Sequence, residues 1–342
     1  MALDKVKIQA GILLPNANFA LDTDENGTPD GYSLEGDFTA DGCLCLLADP
    51  GRGGYSLGNL RSLNVRMPIN LPYATDRYIK GPRSALGVFP TAARDLQWKI
   101  SINYSYKMTG QAAPTTISLR LKLQVQDDDE SKSVIEIERQ FTAADLTSVW
   151  VHATSYGQIL SADWGSDLPD HARILVVCEQ NSSGSQNCDF FLDNVTVGLH
   201  PFDGNANYEY EVPIEFSMEG LQFPSMSLGT EERFFSGKHR IIDPSGGLDK
   251  KRFQLPFRYL TQAVYQRLYE FWRMNRGLTD VGTTQYKIGQ QWPLVVKPNL
   301  KGIPHSVYCN WLDRHFPFSA HDGGYVSESD PRYQGVATFE EI

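Results

Sequence analysis

Two successive segments constrain the fold most, because apolar and polar side chains alternate along them with a period of two. They are LQWKISINYSYKM (96–108) and TISLRLKLQVQ (116–126). This period is typical of strands with one buried face, since neighbouring side chains point to opposite faces of a sheet. Similar segments, separated by Gly, Ser, Asn and Asp, recur later as SVIEIERQF, SVWVHATSY, ARILVVCEQ and FFLDNVTVGL. Strands at this spacing, without a helix of convincing length, predict an antiparallel β-sandwich.

The last third of the sequence differs, because it contains one persuasive amphipathic helix in TQAVYQRLYEFWRMNRG (261–277). Thr261 is the predicted N-cap and Gly277 the predicted terminator. The apolar stripe consists of Val264, Leu268, Phe271 and Trp272. Strand-like segments such as KRFQLPFRYL, WPLVVKP and QGVATFEEI lie on both sides of the helix. They predict an α+β region with one helix laid across a sheet.

The polar stretch HPFDGNANYEYEVP (200–213) predicts a boundary between a domain of residues 1–205 and a domain of residues 206–342. The formal charge differs between the two sides of this stretch. From residue 211 onward there are 15 of the 31 Lys and Arg and 15 of the 41 Asp and Glu, so their charges cancel. Residues 1–210 therefore carry the whole net charge of −10. Such a field repels nucleic acid and anionic membranes, and neither is expected as a partner. No segment has the length and apolarity of a membrane span, and no signal peptide is expected.

The stretch ALDTDENGTPDGYSL (20–34) has the character of a metal-binding loop. Four oxygen donors lie at alternate or near-alternate positions: Asp22, Asp24, Asn26 and Asp30. Calcium takes six to eight oxygen ligands, and short acidic loops supply them in this way. An EF-hand is excluded, because Ser33 stands where a bidentate glutamate is needed and no helices flank the loop. Two interpretations stay open: a structural Ca²⁺ that pins an edge of the sandwich, or a solvated turn of Asp and Asn side chains bonded to the backbone.

Carbohydrate binding requires exposed aromatic rings, because a pyranose stacks its C–H face on a ring. The candidate rings are Trp164, Tyr156 and Trp98. Trp164 lies in the polar loop SADWGSD and is expected to be the most exposed. Alternation places Trp98 on one face with Tyr104 and Tyr106, and a core position is favoured for most of these rings.

Catalysis finds little support in the sequence. It contains no His-Glu-x-x-His, no phosphate loop and no dinucleotide fingerprint, and no pair of carboxylates stands out as a glycosidase pair. The chain is therefore expected not to be an enzyme, and no catalytic residue is assigned. The five cysteines are an odd and sparse set, which favours reduced thiols over a disulfide framework.

Three stretches, LLPNANFALD with GTPDGYSL, FTAADLTSVWVHATSYG, and CDFFLDNVTVGL, carry a resemblance to a known family. Through them residues 8–200 resemble the jelly-roll carbohydrate-binding modules found beside xylanases and related glycanases. The resemblance implies a jelly-roll sandwich and a calcium shared between the first strand and the closing strand, with Asp193 as a ligand and Asn18 as the nearest oxygen donor. The sequence departs from the family at Ala20, where the family has glutamate, and at Tyr32, where it has tryptophan.

The later pattern KRFQLPFRYLT, AVYQRLYEFWRMNRG, WPLVVKPN and a final ATFEEI resembles the minor tail and distal tail proteins of long-tailed bacteriophages. The resemblance covers residues 212–342 and implies a tail-tube-like α+β domain, a β-sandwich with one helix. It also implies a homo-oligomeric ring of six copies and other tail proteins as partners.

The predicted function is that of a structural virion protein of the phage tail, in the baseplate, distal tail or minor tail. Its outward jelly roll would aid adsorption to host cell-surface glycans, and the protein would be made in the host cytoplasm. The alternative is a cellular carbohydrate-binding accessory protein of a polysaccharide-degrading system.

Overall fold

The computed structural model describes residues 4–17, 19, 21–48, 61–68, 77–86, 98–110, 117–165, 167, 169–180, 188–201, 210–214, 230–233, 239–242, 252–277, 293–298, 306–320 and 331–342. The strands are β1 Asp4–Ile12, β2 Ser33–Glu35, β3 Leu44–Ala48, β4 Ser62–Met67, β5 Tyr78–Lys80, β6 Ser84–Ala85, β7 Trp98–Gly110, β8 Ile117–Gln126, β9 Ser133–Phe141, β10 Thr147–Ile159, β11 His171–Gln180, β12 Cys188–Pro201, β13 Tyr210–Ile214, β14 Thr230–Arg233, β15 His239–Ile242, β16 Arg252–Leu260, β17 Leu294–Lys297, β18 Val307–Trp311, β19 Phe318–Ala320 and β20 Tyr333–Glu341. The helices are α1 Ser161–Trp164 and α2 Gln262–Asn275, with a 3₁₀ turn at Ala143–Asp145. The prediction of a mainly β protein with one substantial helix is confirmed.

Two antiparallel sheets lie face to face in the N-terminal part, as the alternating segments predicted. The front sheet has the order β10–β7–β12–β4–β3, and the back sheet has the order β2–β5–β11–β8–β9, with β6 paired to β11. Rings from both sheets meet in the core: the centroid of Phe141 in β9 lies 5.0 Å from that of Tyr106 in β7 and 4.8 Å from that of Phe190 in β12. The predicted jelly-roll sandwich is confirmed.

Strand β7 follows the predicted period, but it is buried on both faces. Ile100, Ile102 and Tyr104 point into the sandwich core. The polar residues of the opposite face are buried as well: Lys99, Ser101, Asn103 and Ser105. Alternation predicted the apolar face correctly, but it carried no information about what covers the polar one.

Strand β1 joins the sandwich to the C-terminal strands. Along one edge, residues 10–12 pair with β12 and residues 4–8 pair with β13, while residues 7–10 pair with β17 along the other edge. The front sheet therefore continues through β1 into β17–β18–β20–β16. The boundary at residues 205 and 206 stays a prediction, but the hydrogen bonds of β1 extend across it.

Helix α2 begins and ends where the sequence predicted. Thr261 Oγ1 accepts a hydrogen bond from the Val264 amide at 3.4 Å, and Gly277 follows the helix with a φ of +67°. Leu268 is fully buried, which confirms the predicted phase of the apolar stripe. Within the described residues, no helix is long and apolar enough to cross a membrane.

An aromatic cluster lies between α2 and the C-terminal strands. Its centre is Phe316, whose ring centroid lies 5.2 Å from that of Tyr265, 5.0 Å from that of Tyr269 and 4.9 Å from that of Phe318. Trp272 joins the helix to the sheet, because its Nε1 donates to the carbonyl oxygen of Asp313 at 2.9 Å. These rings therefore pack beside the buried core that α2 shares with the described C-terminal strands.

Candidate functional site

The outer face of the front sheet carries three side chains that we call the platform: Trp150, Phe191 and Lys107. The strand register places Phe191 of β12 opposite Lys107 of β7, and all three side chains are partly exposed. The Lys107 Nζ atom lies 4.3 Å from the Phe191 ring centroid and 5.7 Å from that of Trp150. The two rings are 6.5 Å apart and inclined at 72°. The ammonium group is thus held against the faces of two aromatic rings.

An ion pair borders the platform in the next cross-strand row. Arg66 Nε donates to Asp189 Oδ1 at 2.7 Å, and the two side chains are 45% and 26% exposed. This hydrogen bond raises the pKa of Arg66. Leu44, opposite Arg66, and Leu46, opposite Asn64, add exposed apolar surface. Aromatic, apolar and charged groups therefore share one open surface.

The platform has the chemistry of a non-covalent saccharide site. An aromatic face accepts the C–H face of a pyranose, and a guanidinium or carboxylate can hydrogen-bond to its hydroxyls. Among the described residues Lys107 forms no ion pair, so its ammonium N–H groups face the rings and solvent rather than a carboxylate.

Toward β17 the same outer face carries polar side chains that are buried from solvent. Ser105 Oγ lies 2.8 Å from His152 Nδ1, and Ser101 Oγ donates to Gln9 Oε1 at 2.8 Å. A cavity of about 10 Å³ beside His152 is also lined by Lys297 from β17, and it has room for about one water molecule. Because Ser105 is fully buried, the Ser105–His152 pair cannot present its hydroxyl to a substrate in solvent.

Tyr156 lies on this outer face in edge strand β10, opposite Ser101, and is 41% exposed. It is the one predicted carbohydrate-binding ring that reaches the surface. Its role in binding stays a prediction.

The predicted exposure of Trp164 is wrong, because its side chain is only 2% exposed. The short helix α1 directs the ring inward, where Nε1 donates to Glu136 Oε1 at 3.4 Å. Lys132 Nζ donates to the Trp164 carbonyl at 2.9 Å. Burial raises the pKa of Glu136 to about 7. A ring held in this way anchors its loop and offers no face to a sugar.

Trp98 is also unsuited to stacking on a sugar. It is 4% exposed and begins β7 on the core side, in phase with Ile100. The core position that alternation favoured for this ring is confirmed, and its assignment as a binding residue stays a prediction.

The acidic loop brings three of its predicted ligands together. Carboxylate oxygens of Asp22, Asp24 and Asp30 all lie within 4.8 Å of one another. The same carboxylates accept backbone hydrogen bonds: Asp22 Oδ2 from the Gly27 amide at 3.1 Å, and Asp30 Oδ1 from the Thr23 amide at 2.9 Å. The loop is therefore a turn of the kind expected from Asp and Asn, and its carboxylates are also spaced as cation ligands would be.

Asn26 holds this loop together instead of pointing away from it. Its Nδ2 donates to Asp24 Oδ2 at 2.7 Å, and its Oδ1 accepts from the Thr28 amide at 2.6 Å. Both polar atoms of the amide side chain are thus engaged within the turn. The prediction that Asn26 binds a metal ion stays a prediction.

Asp193 lies in β12 and is not one of the three clustered carboxylates. It is fully buried, and its Oδ1 accepts from the Asn194 amide at 2.7 Å. The neighbouring Val195 amide donates to the Ala17 carbonyl at 3.2 Å, which brings β12 close to the first loop. Asn18 and Ala20, the other positions of the implied second calcium site, lie outside the described residues.

The sequence contained a signal for the platform that the prediction did not use. Phe190 and Phe191 are consecutive in a strand, and consecutive side chains point to opposite faces. One ring must therefore face outward, and Phe191 does, whereas Phe190 is fully buried. The sequence contains no comparable signal for Lys107, because only the pairing register of the strands determines its neighbours on β10 and β12.

No protein-family model matches this sequence, and no curated protein matches it. Among solved structures, the chain is similar to a carbohydrate-binding module of the β-sandwich superfamily with promiscuous specificity (10% identity, 54% of this chain and 62% of that chain, TM-score 0.34). It is similar to the CBM22-1 xylan-binding domain of Paenibacillus barcinonensis Xyn10C (15% identity, 58% and 96%, TM-score 0.28). It is also similar to a Stig cyclase from Fischerella sp. TAU (14% identity, 56% and 98%, TM-score 0.28).

No binding or catalytic property is transferred from these structures to this chain. The predicted resemblance of residues 212–342 to phage tail proteins stays a prediction.

Proposed function

We propose that this chain is a non-catalytic structural protein of a bacteriophage tail whose sandwich binds glycans of the host surface through the platform. The observation that carries the binding proposal is the packing of Lys107 against Trp150 and Phe191 beside the Arg66–Asp189 pair. This combination supplies partly exposed aromatic surface for the C–H groups of a sugar and charged groups for hydroxyl recognition on one sheet face.

The tail assignment rests on two further features. The resemblance of residues 212–342 to distal and minor tail proteins supplies the assembly role. The continuous sheet through β1 supports the proposal that the C-terminal region presents the sandwich outward. Hydrogen bonds on both edges of β1 attach the sandwich to the C-terminal strands. We infer a homo-oligomeric ring, six copies being implied by the resemblance, that contacts other tail proteins.

The binding proposal is tested with the full chain by intrinsic tryptophan fluorescence and calorimetry against xylohexaose, cellohexaose and oligogalacturonate. Binding of at least one of these oligosaccharides is expected, and Trp150→Ala should weaken it about tenfold or more, because it removes the stacking surface. Trp164→Phe is the matched control, since that ring is buried, and it should leave the affinity unchanged.

Equal affinity for the wild-type chain and Trp150→Ala would place the sugar elsewhere. Tyr156→Ala then becomes the informative variant, because Tyr156 is exposed on the same face. If neither these oligosaccharides nor polysaccharide isolated from the host surface binds, the glycan role of the sandwich is contradicted, whatever the assembly state of the chain.

The assembly proposal is tested by sedimentation of the full chain. A ring is expected to have the mass of several copies of the 38.4 kDa chain and to appear annular in electron micrographs. A monomer that binds glycan would instead support the alternative, a cellular carbohydrate-binding accessory protein of a polysaccharide-degrading system.

We also propose that the acidic loop holds a structural Ca²⁺ through Asp22, Asp24 and Asp30. Three close carboxylates repel one another without a cation, so chelation of calcium should lower the melting temperature of the full chain. Asp30→Asn should abolish the difference between calcium and EDTA. Superimposable wild-type melting curves with and without calcium would contradict the assignment.

A further inference from the structure

A cavity of about 220 Å³ lies where the sandwich meets the C-terminal strands, and we call it the junction cavity. Four segments that are distant in the sequence line it. They are residues 13–17 after β1, residues 194–196 in β12, residues 306–308 around the start of β18, and residues 341–342 around the end of β20. A ligand in this cavity would therefore contact both regions of the chain.

The junction cavity has a buried inner wall and an exposed mouth. Val195, Thr196 and Val307 belong to the inner wall and are no more than 4% exposed. Leu13 and Ile342 border the mouth and are 47% and 41% exposed. Exposed large apolar side chains beside a concave surface are typical of ligand-binding sites, because a ligand removes them from water. The cavity is therefore accessible from solvent, and its rim can contact apolar groups.

The inner wall includes a β-bulge of β12. The pairing register with β7 shifts between Asp193 and Thr196, and Asn194 has a φ of +50°. Bulges re-aim side chains and are common next to functional sites. Asn194 and Thr196 line the junction cavity, and so does Ser306 beside β18. Residues with neutral amide and hydroxyl groups, contributed by two regions of the chain, thus meet in it.

The Thr196 hydroxyl is the feature that points to a ligand. Thr196 is buried, and its Oγ1 atom forms no hydrogen bond with any described residue. A buried hydroxyl without a partner is unfavourable, so a ligand that hydrogen-bonds to it gains affinity. Rotation about χ1 exchanges the positions of the hydroxyl and the methyl group of a threonine, which allows this hydroxyl to turn toward a ligand.

The charge of the lining restricts the chemistry of that ligand. None of the described residues that line the cavity is a lysine, an arginine or a histidine, whereas Glu341 is acidic. An anionic ligand would therefore be repelled rather than neutralised. Asn194, Thr196 and Ser306 carry neutral groups that both donate and accept hydrogen bonds, as the hydroxyls of a sugar do.

We propose that the junction cavity binds one neutral pyranose unit. Its volume is below the roughly 300–1,000 Å³ of sites for drug-sized ligands, so a single ring fits better than an oligosaccharide. Hydroxyls of the ring would hydrogen-bond to Thr196 and Asn194, and its C–H groups would contact Leu13 and Val307. Binding here does not require the platform, which has its own residues on β7, β10 and β12.

The test titrates the full chain with glucose, galactose, mannose and N-acetylglucosamine, with binding measured by saturation-transfer NMR. Hydrogen exchange with and without the sugar then locates the site. At least one neutral sugar is expected to bind and to slow exchange in residues 13–17 and residues 306–308 together, because the cavity is lined by both. Glucuronate and galacturonate should bind at least about tenfold more weakly, because of the acidic lining.

Thr196→Val removes the hydroxyl at nearly constant volume and should weaken binding of the neutral sugar about tenfold. Thr147→Val, in β10 and outside the cavity, is the matched control and should leave the affinity unchanged. Leu13→Ala, at the exposed rim, should weaken binding about threefold and keeps the test decisive if Thr196→Val does not fold.

Failure of every neutral sugar to bind would show that the cavity holds water only and would overturn the proposal. Equal affinity for the uronates, or an unchanged affinity in the folded cavity variants, would do the same. Slower exchange at residues 105–107 and 189–191 instead would place the sugar on the platform. Oligosaccharide binding that Trp150→Ala abolishes is a separate result, so the two sites can fail independently.

Discussion

The sandwich and the C-terminal region bury their cores by different means. In the sandwich, two sheets share the core, and many strands each contribute one apolar face, in which rings such as Phe141 and Phe190 lie among aliphatic side chains such as Ile100. In the described part of the C-terminal region, helix α2 lies against one sheet, and partly buried rings around Phe316 pack beside the core that the two share. One core is distributed over many equivalent contacts, and the other depends on one element.

The two cores should therefore respond differently to substitutions. A substitution in one strand of the sandwich leaves the other strands to hold the two sheets together, whereas loss of packing by α2 exposes the whole aromatic cluster. Strand β1 belongs to both regions, so a substitution in β1 should affect both cores.

The largest effect is therefore expected at Ile8, which is fully buried at the centre of β1 and pairs with Tyr210 on one edge and Val296 on the other. Ile8→Ala should cost about 2–5 kcal/mol through lost packing. Ile8→Pro should cost about 1–3 kcal/mol more, because it also removes a ladder donor and leaves a buried acceptor unpaired. Denaturant unfolding of the full chain measures both costs.

Hydrogen exchange on the Ile8→Pro chain tests whether β1 is truly shared. Amides of residues 197–199 and of residues 294–297 should lose protection together. Loss confined to residues 294–297 would mean that the sandwich does not depend on β1.

A more local effect, smaller than that of Ile8→Pro, is expected at Leu268, which is fully buried on α2. Leu268→Ala should cost about 2–5 kcal/mol and increase hydrogen exchange within residues 252–342. Gln266→Ala, at an exposed position of the same helix, should stay within about 0.5 kcal/mol of the wild type. An equal loss of protection in β7 and β8 would contradict a separate C-terminal core.

The smallest effect is expected from Glu136 in the back sheet. Burial raises the pKa of this carboxyl from 4.5 to about 7. Between these values the folded state keeps a proton that the unfolded state has released, so stability falls as pH rises from about 4.5 through 7. The melting temperature of Glu136→Gln should lack this component. Parallel pH profiles for the two chains would show that Glu136 does not titrate as inferred.

Gly157 explains why this carboxyl is enclosed. A Cβ at Gly157 would lie 2.1 Å from the Glu136 carbonyl oxygen, so only glycine allows β10 to approach β9 this closely. The approach brings the two edge strands of the sandwich together beside Trp164.

Local pattern was sufficient to predict individual elements. The segment SVIEIERQF coincides with β9 Ser133–Phe141, and the predicted capping residue and terminator enclose α2. In both cases the determining interactions are within a few residues: alternation along a strand, or a cap bonded to its own first turn.

The candidate site was less accessible to sequence reasoning, because it depends on which strands meet. Lys107, Trp150 and Phe191 come from three strands, and only their pairing register assembles the platform. Trp164 was predicted to be exposed from its polar neighbours, but its own ring found a hydrogen-bond acceptor in Glu136 on another strand. Long-range pairing decided both outcomes.

The position of β1 has a consequence for synthesis on the ribosome. Asp4–Ile12 is translated before any of its partners. Strands β12 and β13 follow much later along one edge, and Leu294–Lys297 closes the other edge only after them. A nascent chain that has completed its sandwich still carries one open strand edge, ready to pair with the same edge of a neighbouring nascent chain. Rapid completion of each polypeptide, or a chaperone that covers this edge, would therefore determine the yield of correctly assembled protein.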